Sequence, residues 1–399
     1  MKKLAIFLTD LGGGGAEKVM VNLANEFASR QVEVDLLLVK REGVYLSQVS
    51  SAVNLIDLGT KKLLLSLPKL VSYLRGDRPN ALLTALEDTN VVAIAARLIA
   101  RGLDTLSRTS NSAHSHPATR LIVTVHNNLS QEALSSEGLK RKLVPKILKW
   151  VYPFADSVVA VSKGVAADLV DLGIRPQQVR VIYNPILTPE FDALAAAPLS
   201  LGQSFESASL EKVSLKRASE WLSNKTVPVL LGIGRLVPQK DFQTLIRAFA
   251  LAKVERPLRL LILGEGRERA ALEALTQQLQ IADVVAFTGF VENPLAYLKR
   301  VDLCVLSSAW EGFGNVLVEA MGVGTPVVST NCPSGPTEIL AGGSYGKLVP
   351  VGDAVGLARA ILSTLDWPLP DEILKHRAAD FSVSAVADQY EQLLRSFYA

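Results

Sequence analysis

Short apolar runs alternate with stretches whose apolar positions recur every three or four residues, and this alternation runs through the chain twice. Leu4–Thr9, Val32–Val39, Ala81–Ala85, Leu121–Val125, Ser157–Val161 and Val179–Tyr183 have the length and content of buried strands, with helical periods at Ala16–Arg30 and Thr89–Ala100. The pattern restarts with strands at Val229–Ile233, Leu258–Leu263, Val284–Thr288, Leu303–Leu306, Pro326–Ser329 and Gly346–Val349. Helical periods at Phe242–Val254, Glu268–Leu279, Asn315–Met321 and Asp353–Leu365 separate them. Strands buried on both faces and interleaved with helices predict βαβ units. The expected fold class is α/β, with two doubly wound parallel sheets in series.

The break falls after Asn184-Pro185-Ile186, where a stretch rich in Ala, Ser and Lys lacks strand periodicity and holds one helical segment near Ala208–Leu222. The expected organisation is a domain over 1–183, a linker with a connecting helix over 184–226, and a second domain over 227–382. A terminal helix within 383–399 is expected to pack back on the first domain. The polar segment 104–120, with His114 and His116, reads as an exposed loop.

Three segments carry candidate chemistry. The first is Gly12-Gly13-Gly14-Gly15-Ala16-Glu17, between a strand and a helix. Gly14 and Gly15 leave the backbone open to close approach, and the helix N-terminus behind them suits a phosphate; a flexible turn is the bland alternative. Glu17 stands where a dinucleotide fingerprint needs its third glycine, which argues against an NAD-dependent oxidoreductase. The second is Gly234–Phe242, where Arg235 and Lys240 flank a turn at the end of a strand. A guanidinium forks onto two phosphate oxygens while an ammonium acts as a point charge; two solvated cations are the alternative. The third is Glu311-Gly312-Phe313-Gly314-Asn315-Val316-Leu317-Val318-Glu319. A phosphate on the amides of residues 314–316, with acids gripping hydroxyls on either side, suits a sugar and a ribose joined by a diphosphate. A solvated Glu311 and a dipole-paired Glu319 are its alternative.

With these segments in place the chain resembles the retaining GT-B glycosyltransferases of family four, along nearly its whole length. The seven-residue gap between Glu311 and Glu319 is the strongest element, joined by Gly234–Lys240, Thr124-Val125-His126-Asn127, Ala160-Val161-Ser162 and Asn184-Pro185. The resemblance implies two Rossmann-like domains facing across a cleft, the first on the acceptor side and the second binding the nucleotide sugar. It also implies roles. Glu311 would bind the donor sugar's hydroxyls, Glu319 the ribose, and Arg235 and Lys240 the diphosphate. His126 would approach the donor sugar, and the segments around Gly264, Gly266 and Phe290 would frame the base. The segment Asn331–Ile339 is similar to members that transfer a hexose or N-acetylhexosamine onto lipid-diphosphate-linked glycans. The implied donor is a UDP-sugar and the acceptor a saccharide, lipid-linked in that subgroup.

Composition narrows the reading. The 399 residues are 49% hydrophobic and 20% charged, enough for two or three cored domains and unlike a disordered or fibrous chain. Cys304 and Cys332 have no metal-ligand spacing. No Asp-x-Asp occurs, so no metal and no cofactor are expected, and cations and amides are left to hold the diphosphate.

Net charge is +3, which argues against nucleic acid as a partner. The charge is unevenly spread: residues 1–183 hold 23 Lys and Arg against 16 Asp and Glu. Residues 138–151 are one source, with Lys140, Arg141, Lys142, Lys146 and Lys149 but no acid, and with Leu139, Leu143, Ile147 and Trp150 at helical spacing around Pro145. Such a segment suits an anionic membrane surface, or packs on a core with a cationic outer face. A kink or two short helices is expected at Pro145. The expected location is cytoplasmic, at the inner face of the membrane where that segment docks. A sugar-nucleotide epimerase and a non-catalytic nucleotide-sugar-binding protein are the competing functions.

Overall fold

The computed structural model describes residues 2–107, 118–135, 138–199, 209–224 and 226–398. The polar segment with His114 and His116, and part of the stretch between the two predicted domains, lie outside the described residues.

The chain forms two compact units, Met1–Ile186 with Val383–Ala399, and Leu187–Ser382. In the first, β1 (Lys3–Leu8), β2 (Glu33–Leu38), β3 (Asn54–Asp57), β4 (Ala81–Ala85), β5 (Arg120–Val125), β6 (Ser157–Ala160) and β7 (Val179–Val181) form a parallel sheet ordered β3-β2-β1-β4-β5-β6-β7. In the second, β8 (Val229–Ile233), β9 (Arg259–Leu263), β10 (Val285–Gly289), β11 (Leu303–Leu306), β12 (Val327–Thr330) and β13 (Lys347–Val349) are ordered β10-β9-β8-β11-β12-β13, again parallel. Both orders reverse beside the first strand, between β1 and β4 and between β8 and β11. Loops leaving the carboxyl ends of those strands diverge to opposite faces there, and ligands of such sheets bind in the gap.

β3 escaped the sequence reading. It is a four-residue edge strand whose side chains are partly exposed, so it lacks the apolar run of the inner strands. Its Asn54 amide donates to Asp35 at 2.8 Å. Asp35 is fully buried and also accepts from the Tyr73 hydroxyl at 2.5 Å and meets the Lys3 ammonium at 2.9 Å. Burial works to raise its carboxyl pKa, but those hydrogen bonds outweigh it and hold the group below the usual range.

Helix Val383–Ser396 packs in the first unit, with Val386, Ala387, Tyr390, Leu393 and Leu394 in the same apolar core as β1, β2 and helix Gly15–Ser29. Arg30, at the end of that first helix, ties the terminal helix down through Asp388 at 2.5 Å, Glu391 at 3.1 Å and the Ser384 carbonyl at 2.9 Å. The stretch after Leu187 belongs to the second unit. Helix Ser209–Ser223 lies against β10, burying Leu215, Ala218, Trp221 and Leu222, with the Arg259 guanidinium 5.4 Å above the Trp221 ring.

The basic segment is one helix, Leu139–Val151, running through Pro145, not two short helices. Proline costs one backbone hydrogen bond there, and the helix continues past it. Pro145 and Leu148 turn inward, whereas Leu143, Ile147 and Trp150 are exposed beside Lys142, Lys146 and Lys149. The core-packed alternative for those apolar residues is therefore excluded.

Truncating Tyr390 to Ala removes a buried aromatic from the first unit's core and is expected to cost about 3–5 kcal/mol of that unit's stability. Urea unfolding followed by far-ultraviolet circular dichroism measures it.

Candidate active site

Two loops meet at the strand-order reversal of the second unit. One leaves β8 at Gly234 and ends at Asp241, whose left-handed backbone (φ 42°) and carboxylate cap helix Phe242–Glu255, accepting from the Thr244 amide at 3.2 Å and its hydroxyl at 2.6 Å. The other leaves β11 at Ser307 and ends at Gly314, a left-handed residue (φ 100°) that no side chain caps, before helix Asn315–Gly322. Three hydrogen bonds stitch the loops together, and a fourth holds the second loop to β12. The Ala309 amide donates to the Gln239 carbonyl at 2.8 Å, and the Gln239 side-chain amide to the Trp310 carbonyl at 3.1 Å. The Ser307 hydroxyl donates to the Lys240 carbonyl at 2.8 Å, and Thr330 reaches across from β12 to the Ser308 carbonyl at 2.6 Å.

Within this frame the Lys240 ammonium lies 2.5 Å from Glu311 Oε1, with side-chain exposures of 17% and 8%. The Ser308 hydroxyl donates to the same carboxylate at 2.6 Å. A pair this sheltered loses most of its hydration, and its attraction offsets that loss only because a further hydrogen bond completes it. Arg235, by contrast, is exposed, and its side chain makes no ion pair or hydrogen bond among the described residues. Glu319 is buried one turn into the helix that Gly314 opens. The arrangement thus presents one free guanidinium, a neutralised Lys–Glu pair and an uncapped helix N-terminus side by side, a combination suited to a diphosphate flanked by hydroxyl groups.

Other predicted residues take different parts. The Phe313 ring is buried and packs edge-on against Phe381 with centroids 5.4 Å apart, so only its backbone remains for a ligand. Gly312, Asn315 and Val316 lie on the same loop and helix start. Gly264 and Gly266 are explained by packing: a Cβ on Gly264 would stand 1.9 Å from the Gly234 carbonyl oxygen, and one on Gly266 2.3 Å from that of Leu236. These glycines let the loop after β9 press against the Arg235 loop, where the Leu236 amide donates to the Glu265 carbonyl at 2.8 Å. Phe290, following β10, is exposed. Sequence reasoning missed Ser308, Gln239 and Thr330. Ser308 carried a signal, since it precedes Glu311 by three residues on one loop.

In the first unit His126 follows β5, and its ring Nε2 lies 2.8 Å from Thr124 Oγ1. That hydroxyl already gives its proton to the Thr84 carbonyl at 2.8 Å, so Nε2 must be the donor and Nδ1 carries the lone pair. Nδ1 is buried with no partner among the described residues. Burial lowers the imidazole pKa to about 4, so the ring is neutral at pH 7 and can accept one hydrogen bond. Asn128 Oδ1 and Asp168 Oδ2 take the amides of Gln131 and Leu129, at 3.0 and 2.8 Å, and hold the segment after His126 in place. Gly14 caps helix Gly15–Ser29, but the Glu17 carboxylate folds back over it, 2.2 Å from where a Gly14 Cβ would be. An internal anion therefore sits at the helix start on which Gly14 and Gly15 were expected to hold a phosphate.

Comparison with known proteins agrees with this geometry. Residues 13–188 match the family described as Glycosyltransferase Family 4, and residues 216–380 match Glycosyl transferases group 1. The chain joins a family 4 glycosyltransferase domain to a group 1 glycosyltransferase domain. It is 29% identical over 379 residues, 92% of its length and 91% of the relative's, to the N-acetylgalactosamine-N,N'-diacetylbacillosaminyl-diphospho-undecaprenol 4-alpha-N-acetylgalactosaminyltransferase of Campylobacter jejuni. It is 33% identical over 250 residues to the lipopolysaccharide core biosynthesis glycosyltransferase LpsE of Rhizobium meliloti, across 60% of this chain and 64% of LpsE. Among solved structures, Anabaena HepE in complex with UDP and glucose superimposes with a TM-score of 0.76 at 21% identity, over 99% of this chain and all of HepE. The sucrose-phosphate synthase of Thermosynechococcus elongatus gives 0.75 at 23% identity, over 100% of this chain and 99% of the synthase. These likenesses show the GT-B fold.

Two outcomes follow from the geometry. Lys240→Met strands a sheltered carboxylate and is expected to cost roughly 3 kcal/mol, whereas the double variant with Glu311→Gln recovers part of that loss; chemical denaturation of the four proteins gives the coupling. For His126 the folded-state pKa lies below the unfolded value of about 6.5, so the unfolded chain binds more protons between pH 6.5 and 4. Stability from this residue is complete above pH 6.5 and falls by up to about 3 kcal/mol as pH drops to 4. Unfolding measured against pH should show this slope in the wild type and a shallower one in His126→Asn.

Proposed function

We propose that this glycosyltransferase moves a hexose or N-acetylhexosamine from a UDP-sugar to a saccharide acceptor with retention of anomeric configuration, without a metal ion. The observation that carries the reading is the convergence of Arg235, the Lys240–Glu311 pair and the uncapped N-terminus of helix Asn315–Gly322 on one strand-order reversal. As the bond from the sugar's anomeric carbon to the β-phosphate oxygen breaks, negative charge grows on the leaving diphosphate and the sugar becomes oxocarbenium-like. Arg235 and the amides at Asn315 and Val316 oppose that charge without reorganising, each contributing on the order of 3 kcal/mol, while Lys240, already paired with Glu311, adds a smaller share. The acceptor hydroxyl attacks from the side the diphosphate leaves and gives its proton to the departing phosphate oxygen, so no enzyme nucleophile is needed. Glu311 and Glu319 accept hydrogen bonds from the sugar and ribose hydroxyls, and neutral His126, in the first unit, has an Nδ1 lone pair to offer a substrate hydroxyl. Gly312, Phe313 and Gly314 act through their backbone, as do Gly264 and Gly266 beside Phe290 near the base.

A lipid-diphosphate-linked acceptor and a role in glycan synthesis are the finer part of the reading. They are supported by the Campylobacter relative, whose name specifies a diphospho-undecaprenol acceptor, and by the lipopolysaccharide enzyme LpsE. Peripheral contact with an anionic membrane through residues 138–151 fits such an acceptor, since those residues are rich in lysine and hold no acid. No helix among the described residues is long and apolar enough to cross a membrane.

The test is incubation of the pure enzyme, with EDTA, against UDP-, GDP- and ADP-sugars, following bound and released nucleotide and the anomeric form of the product. One UDP-sugar should bind and turn over. Arg235→Ala, an exposed change, should leave folding intact and lower kcat by about 100-fold or more, and Glu319→Ala should weaken donor binding about tenfold. Epimerised donor without transfer would point to the isomerase, and wild-type activity in either variant would remove that residue from the site.

A further inference from the structure

Helix Glu87–Ser107 is buried through its first half, at Val92, Ala93, Ile94 and Ala96, and exposes apolar side chains in its second half. Leu98, Ile99, Leu103 and Leu106 are exposed, Leu106 to 84%; Ile99, Leu103 and Leu106 recur at the four- and three-residue spacing of a single helix side, and Leu98 adjoins them. The two arginines of this stretch do not interrupt it. Arg97 is buried against Asp156 and the Phe154 carbonyl, and Arg101 donates to the Thr119 carbonyl at 3.4 Å. Helix Leu139–Val151 packs against this helix and exposes Leu143, Ile147 and Trp150, the last to 75%. The turn that follows it exposes Phe154. That turn is anchored at two points on the longer helix: Asn90 donates to the Tyr152 hydroxyl at 3.0 Å, and Arg97 holds the Phe154 carbonyl. Exposed leucines scattered singly are ordinary, but a run of them on two rigidly joined, contacting helices marks an interaction surface.

Charge indicates what covers it. Lys142, Lys146 and Lys149 are exposed among these apolar side chains, and residues 138–151 contain no acid. A protein partner's apolar patch would leave three ammonium groups to be matched one by one. An anionic bilayer matches all of them with headgroups while its acyl boundary takes up the leucines. We propose that Leu98, Ile99, Leu103 and Leu106, with Trp150 and Phe154, enter the acyl boundary of an anionic membrane while the three lysines contact phosphate headgroups. This rests on the membrane contact proposed above and adds the element that penetrates: a neighbouring helix, outside the basic segment.

The whole protein is mixed with vesicles of phosphatidylcholine, with and without phosphatidylglycerol, and binding is followed by co-sedimentation at low and high salt. Wild type should bind the anionic vesicles and keep part of that binding in high salt. Brominated lipids should quench its fluorescence, less so in Trp150→Leu. Leu103→Glu/Leu106→Glu should lose the salt-resistant part, by roughly tenfold or more, and Lys142→Glu/Lys146→Glu the salt-sensitive part. UDP release to water, measured alongside, should be unchanged in both variants and reports the donor chemistry separately. If the leucine variant binds like wild type while the lysine variant does not, insertion is overturned and an electrostatic contact survives. If no form binds, the membrane contact itself fails. A dimer in solution that the leucine variant dissociates would assign the face to a second copy and overturn the proposal as well.

Discussion

The ion pair of Lys240 with Glu311 is the contact on which the second unit's ligand-facing end depends. It joins residues 71 positions apart, on loops that leave neighbouring strands toward opposite faces of the sheet. Parallel strand order alone would leave those loops divergent. The pair, completed by Ser308 and framed by the hydrogen bonds of Gln239, Ser307 and Thr330, turns them into one body. Its cost is desolvation of two charges, tolerable because each has a fixed partner at short range. A consequence is a division of labour between the two cations of the Arg235 loop. Lys240 is already spoken for by a carboxylate, and Arg235 alone is unengaged.

The two parallel sheets, their repeat and the helices that follow the central strands were legible because buried strands and amphipathic helices leave different periods in a sequence. The strand that was missed, Asn54–Asp57, sits at an edge, where half the residues face water and no period is imposed. The acidic pair Glu311 and Glu319 was legible from its spacing on one helix start. The Lys240–Glu311 contact was not, since nothing local records that β8 and β11 are neighbours. The segment of Gly264 and Gly266 was expected to frame the base, and in the fold these glycines also let it press on the backbone of residues 234–236. Phe313 was expected within the donor segment, and its ring packs on Phe381. A glycine or an aromatic in a loop announces close approach, but only the fold tells what approaches.

The first unit illustrates the same limit on a helix. The sequence of Glu87–Ser107 is apolar on more than one side, and periodicity cannot say which side a sheet will claim. Val92, Ala93, Ile94 and Ala96 in its first half are buried, whereas Leu98, Ile99, Leu103 and Leu106 in its second half are exposed. Arg97 is the residue that makes this orientation possible: its guanidinium lies inward, where Asp156 and a backbone carbonyl receive it, so the outer face is not polarised by it. The buried charges at the other end of the sheet, Lys3 and Asp35, are completely satisfied by comparison.

Unsatisfied atoms are informative against that background. A buried donor or acceptor without a partner costs roughly 1–3 kcal/mol, and a chain under no other constraint would pair it or replace it. His126 Nδ1 and Trp310 Nε1 are both buried and unpaired among the described residues, one on the loop after β5 and one on the loop after β11. The histidine's state is forced by its neighbours: Thr124 spends its only proton on Thr84, which obliges Nε2 to donate and leaves Nδ1 as a bare acceptor. Protonation would relieve nothing, since burial disfavours the charge. An ordered water satisfies such a nitrogen, as would a hydroxyl of the kind the proposed substrates bring.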